Sequence, residues 1–164
     1  MLLQFFQWTN DLPFSVAYRE SLWYFPVTQA FHLVALAFFA GAILIVDVRL
    51  LGAGLNKYPI AKIAREATPW LVGSFVVMTL TGIPQFMANA MRYYDNPVFY
   101  FKMGVLVVAL IYTFTLRRRV THADEARLGR VWPKFVGVVS LVLWFVVTVG
   151  PRHRILLSMA GSSG

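Results

Sequence analysis

His32 is an ionisable side chain inside an uncharged apolar run of 22 residues, Phe25 to Val46. Such a run is long enough to cross a bilayer. An ionisable group in hydrocarbon costs roughly 2.5 kcal/mol or more on insertion scales, so it faces a bundle interior, a cavity or a cofactor. Thr28, Gln29 and His32 fall within about a third of a helix circumference and make one polar face. A second run, Trp70 to Met91, carries Thr81, Gln85 and Asn89 at steps of four, with Met87 and Met91 near the same level. A later run carries Ser140, Trp144 and Thr148 at the same step and ends near Arg152, His153 and Arg154.

Four kinds of chemistry suit these residues. Haem iron takes His or Met as axial ligands, which makes His32 one ligand of a b-type haem and His153 or Met87 the other. Arg152 and Arg154 would then pair with the propionates, and Gln29, Gln85 and Asn89 would line the cofactor. Cu(I) favours soft thioether and imidazole donors, here Met87, Met91 and His32. A quinone headgroup would use His32, Gln85 and Trp144. The plainest reading binds nothing: a neutral His32 hydrogen-bonds Gln85, Asn89 or a backbone carbonyl and joins two helices, worth roughly 0.6 to 1.7 kcal/mol.

Other ionisable residues read more simply. His122 lies among charged residues as a solvated surface histidine, whereas the flanking Pro151, Arg152 and Arg154 make His153 part of an interfacial turn. Asp47 and Arg49 mark a membrane boundary and snorkel outward. A proton relay through Asp47 would need a second acid at its depth, and none is present. With no cysteine, thiolate metal sites, iron–sulfur clusters and covalent haem attachment are excluded. No H-E-x-x-H, G-x-S-x-G or phosphate-cradling glycine loop occurs, so any activity is expected to be redox chemistry on a bound cofactor.

The elements that must position these residues are membrane spans. The chain is 59% hydrophobic and 13% charged, with its apolar residues in long blocks, as in one integral membrane domain over residues 1–164. Spans are expected at about 25–46, 70–91, 98–116 and 135–151, the second opened by Thr68-Pro69 and the third edged by Lys102. Residues 1–14 lack a basic n-region and a small-residue cleavage site. They read as an aromatic interfacial segment, with the mature chain expected to begin at Met1. Ile60, Ile63, Ala64 and Ala67 oppose Lys62, Arg65 and Glu66 as in a short surface helix. Thr121-x-x-Asp124 has the form of a capping box opening another. Ala37 and Gly41 form a small-xxx-small pair suited to a close helix neighbour.

Arg49, Lys57, Lys62, Arg65, Arg117, Arg118, Arg119, Arg127, Arg130 and Lys134 fall between spans one and two or three and four; Arg19, Arg92, Lys102, Arg152 and Arg154 fall on the other side. Ten against five, the positive-inside rule puts both termini outside, in the periplasm if the membrane is a bacterial inner membrane. The net charge of +8 sits beside apolar blocks, so anionic lipid rather than nucleic acid is its counterpart.

The stretch Arg19-Glu-Ser-Leu-Trp-Tyr-Phe-Pro26, then Phe31-His32-Leu33, Asp47-Val-Arg-Leu-Leu-Gly52, Thr81-Gly82 and Asn96-Pro97 resembles an uncharacterised bacterial family of small four-span membrane proteins. That resemblance implies topology more than activity. Such proteins are loosely similar to copper-resistance membrane proteins and to haem-carrying b561-type cytochromes, but this chain lacks the latter's paired histidines on facing helices. The expectation is therefore an all-α, four-transmembrane-helix bundle with short interfacial amphipathic helices. It would serve as a small membrane subunit of a redox or electron-transfer assembly, with one b-type haem or a quinone near His32. The alternatives are a non-catalytic anchor or assembly subunit packed against other membrane proteins or its own copies, and a copper-handling protein or transporter.

Overall fold

The computed structural model describes residues 1–122, 129 and 131–149. These are helical throughout, with no strand among them. In chain order the helices are α1 (Leu2–Asp11), α2 (Pro13–Glu20), α3 (Tyr24–Leu51), α4 (Ile60–Ala88), α5 (Ala90–Tyr94) and α6 (Pro97–Tyr112); a π-helical segment (Thr113–Arg117) leads into α7 (Arg118–His122), and α8 (Trp132–Val149) follows. Three stretches are long and apolar enough to cross a membrane, Tyr24–Leu51, Ile60–Ala88 and Pro97–Thr121, while Trp132–Thr148 is apolar but shorter. The fold is thus an all-helical bundle of a membrane protein. The calls that fall on His153, Arg152, Arg154 and Asp124 lie outside the described residues.

Local chemistry sets the ends of α3. The Ser21 hydroxyl accepts the backbone N–H groups of Trp23 and Tyr24 at 3.3 and 3.2 Å, covering donors that the first turn leaves open. At the other end Gly52 adopts φ +72°, and the Gly52 and Ala53 amides reach back to the carbonyls of Arg49 and Val48. That is a Schellman closure, which needs the left-handed backbone glycine accepts freely. Between these caps Ala35, Phe39, Ala42, Ile43, Val46 and Leu50 form the buried stripe. Ala37 and Gly41 are exposed, and a Cβ built on Gly41 meets nothing within 4 Å. Their face therefore has no helix of this chain against it among the described residues.

Helix α4 departs from expectation by being one helix rather than a surface helix followed by a span. Pro69 and Pro84 both lie inside it. Pro69 has no N–H for the Arg65 carbonyl, a loss that usually ends a helix. Here the buried stripe Ile60, Ile63, Ala64, Ala67, Leu71 and Ser74 runs at helical spacing straight through the proline, so packing holds the rod together. Lys62, Arg65 and Glu66 lie exposed on the other side, as expected. The third span is also longer than its charge-free stretch, because helical structure continues past Leu116 into the arginines. Thr121 lies within α7, and its hydroxyl donates to the Arg118 carbonyl at 3.0 Å.

The chain divides into two compact units, Met1–Ile43 with Arg65–Asn96, and Leu44–Ala64 with Pro97–Gly164. In the first, Phe39 packs on Phe75 and the Phe38 ring stacks on Trp70. In the second, α8 approaches the end of α3 closely at Gly137, where an added Cβ would lie 3.2 Å from Leu50 Cβ and 3.3 Å from the Asp47 carbonyl oxygen.

Candidate functional site

The first unit gathers the polar face of α3 against the polar stripe of α4. His32 Nδ1 and Thr81 Oγ1 are 2.9 Å apart. The Thr81 hydroxyl proton points to the Val77 carbonyl at 2.7 Å, so its oxygen is the acceptor and Nδ1 carries the proton. In the neutral ring this leaves Nε2 as the basic nitrogen. Gly82 makes the approach possible, because a Cβ there would sit 3.3 Å from His32 Cε1.

Polar groups continue along the two helices. The Gln85 amide donates to the Thr81 carbonyl at 3.1 Å and, more weakly, to the Thr28 carbonyl at 3.5 Å. The Thr28 hydroxyl bonds the Tyr24 carbonyl and meets the phenol oxygen of Tyr18. Asn89 stands at the break between α4 and α5, with φ −123° and ψ 22°, and its amide donates back to the Gln85 carbonyl at 3.2 Å. His32 joins Thr81, one turn before Gln85, whereas Gln85, Asn89 or a backbone carbonyl was expected as its partner. Among the described residues no buried side-chain nitrogen or oxygen lacks a hydrogen-bond partner.

His32, Thr81 and Gln85 are half-buried, and around them Phe31, Leu33, Val34, Leu80 and Ile83 are exposed apolar side chains. In a membrane these would lie against hydrocarbon. Gln29 is half-buried one turn before His32. Met87 lies in the last turn of α4 and Met91 on α5, so the step of four that seemed to put them on one helix face crosses a helix break. Among the described residues no three His, Cys, Asp or Glu side chains form a metal-binding group.

The second unit holds a cluster that sequence reasoning did not find. Asp47 is fully buried, accepts the Arg117 Nε proton at 2.8 Å through Oδ1 and accepts the Ser140 hydroxyl at 2.6 Å through Oδ2. Its side chain is turned into the protein and does not snorkel outward. The pair recovers by Coulomb attraction and hydrogen bonding part of the cost of desolvating two charges. The π-helical segment is tied further to α8, since Tyr112 donates to the Val136 carbonyl at 2.8 Å and Trp144 Nε1 donates to Thr113 Oγ1 at 3.2 Å. Ser140 and Trp144 of the polar stripe on α8 thus bond Asp47 and Thr113. Polar residues at steps of four were the available signal for α8. Nothing in the sequence pairs Asp47 with an arginine 70 positions away.

Residues 5–156 match the model of a family of unknown function, DUF6644. No curated protein and no solved structure matches the chain.

Proposed function

We propose, from the premise that the chain belongs to this family of unknown function, that it is a small multi-pass subunit of a membrane redox assembly whose polar site around His32 contacts a lipid-soluble quinone. In this reading α8 is a fourth crossing, all four spans belong to one domain in a bacterial inner membrane, and both termini lie on the outer face. The ten-to-five bias of Lys and Arg supports that orientation.

One observation carries the ligand class. His32 is half-buried and bordered by exposed apolar side chains of α3 and α4, so a ligand reaching it would come through hydrocarbon. A quinone has an apolar body and a polar, planar head. The His32 imidazole, held at Nδ1 by Thr81, is a group whose nitrogens can accept a hydroquinone O–H when neutral or donate to a quinone carbonyl when protonated. Thr81 holds the ring at Nδ1, and Gly82 leaves room for its Cε1.

A single b-type haem is the second reading. The Nδ1 bond to a hydroxyl is also what orients an axial histidine and raises its basicity. Copper draws less support now that Met87 and Met91 lie on different helices. The non-catalytic anchor remains the rival class, because the same hydrogen bond serves to join two spans.

The test is organic extraction of protein purified in mild detergent, with oxidised and reduced absorption spectra, on wild type and His32→Leu. Quinone recovered in proportion to protein from wild type and lost from a folded His32→Leu supports the proposal. A sharp reduced α-band instead establishes haem. A colourless, quinone-free wild type that co-purifies with a larger membrane partner overturns both in favour of the anchor.

A further inference from the structure

Helix α1 is divided into three sectors. At 100° per residue, Gln4, Gln7 and Asp11 fall within about 60° of one another, and Phe5 and Trp8 lie about 60° apart on the arc beside them. The third sector, Phe6 and Thr9, is buried against the protein, and Leu2, in the first turn, falls between those two. All three polar residues are exposed. So is the apolar arc, with Phe5 at 52% and Trp8 at 62%.

The hairpin that α1 forms with α2 is fixed to one end of two membrane-crossing helices. Phe6 packs edge-on against Phe86 and Tyr94 at 5.6 and 5.5 Å, and Arg19 donates to the Ala88 carbonyl at 3.2 Å, where α4 ends. Tyr18 meets Thr28 in the first turns of α3. Ser15 donates to the Thr9 carbonyl at 2.7 Å and closes the hairpin on itself. The start of α3 and the end of α4 lie at the same membrane face, so the hairpin is held there. Leu22, Trp23 and Tyr24, which lead into α3, are exposed as well.

We propose that the α1–α2 hairpin is a membrane-interface anchor, its Phe5–Trp8 arc seated among the acyl chains just below the headgroups and its Gln4–Gln7–Asp11 stripe facing water. Three features select lipid over a protein partner. The hairpin that carries the arc is fixed to the ends of the spanning helices. Trp and Tyr cluster at one level, as in an interfacial aromatic belt. The hairpin carries Asp11 and Glu20 against Arg19, so its binding is hydrophobic and independent of anionic lipid, unlike a basic amphipathic helix. The inference rests on the membrane reading and not on quinone binding.

The absence of cysteine makes the test direct. Single cysteines at positions 4, 5, 7, 8 and 11 are spin-labelled, reconstituted in phosphatidylcholine vesicles, and compared for accessibility to oxygen and to a water-soluble nickel chelate. Phe5→Cys and Trp8→Cys are expected to favour oxygen and Gln4→Cys, Gln7→Cys and Asp11→Cys the chelate, with little change in high salt. Val34→Cys on α3 is the control for insertion. A lipid signature at Val34→Cys with a water signature at Phe5→Cys and Trp8→Cys would overturn the anchor while leaving the membrane reading intact. Labels at positions 5 and 8 shielded from both reagents would assign the arc to a second copy or another protein and equally overturn it. A water signature at Val34→Cys would defeat the membrane reading itself.

Discussion

Arg117 donates its Nε proton to Asp47 Oδ1 at 2.8 Å, with the two side chains 6% and 0% exposed. Removing one member strands the other charge away from water, which in buried pairs costs about 3 to 5 kcal/mol. Asp47→Ala is therefore expected to lower the thermal midpoint in detergent sharply. Asp47→Leu with Arg117→Met leaves no orphan charge and is expected to recover most of the loss. If Asp47→Ala melts like wild type, the pair does not hold the second unit together.

How much of this was legible before the structure depends on the range of the interaction. His32 and the stripe Thr81–Gln85 stand out because helical periodicity is local, and polar groups in apolar runs are conspicuous. The face of Ile60, Ile63, Ala64 and Ala67 was readable for the same reason. Asp47 was misread because it ends an uncharged run, which is where snorkelling residues also sit, and Arg117, at the end of another, was read only as one of the loop charges. Pro69 misled through a rule that weighs the lost hydrogen bond but not the buried stripe crossing it. The π-helical segment has no sequence signature, since one widened turn leaves the apolar pattern almost unchanged. The helix break at Asn89 separated Met87 from Met91 without any Gly or Pro to announce it.

The His32–Thr81 bond joins α3 and α4 at 2.9 Å, and its worth is separable from that of the side chains. A double-mutant cycle of His32→Ala, Thr81→Ala and the double variant is expected to give a coupling of roughly 0.6 to 1.7 kcal/mol, the range seen for polar contacts between membrane helices. Unfolding in mixed micelles supplies the numbers. Additive losses would mean that the two residues act independently.

Gly137 marks a close approach of α8 to α3. A Cβ there meets Leu50 Cβ at 3.2 Å and the Asp47 carbonyl oxygen at 3.3 Å, and neither is the far end of a flexible side chain. Gly137→Val is expected to push the helices apart, costing about 1 to 3 kcal/mol and lengthening the Ser140–Asp47 bond. Gly41→Val, where nothing lies within 4 Å, is the control and should leave the midpoint of the isolated chain near wild type. Equal effects at both positions would contradict the packing described for the second unit.

Gly82 separates the site from the scaffold. An added methyl would stand 3.3 Å from His32 Cε1 and 3.8 Å from Nδ1, so the ring must give by a few tenths of an ångström and its bond to Thr81 must lengthen. Alanine in place of glycine also favours the helix by up to about 1 kcal/mol, which offsets the crowding in the stability balance. Gly82→Ala is therefore expected to melt within a few degrees of wild type yet bind a short-chain quinone about fivefold more weakly, a change of ~1 kcal/mol. Gly82→Val, which crowds the ring further, should bind none detectably. If His32 serves only to join two helices, both variants will alter the midpoint in proportion to crowding and no quinone affinity will exist to be lost. Titration of the three proteins with the quinone, beside their melting curves, decides between a ligand site and a structural pin.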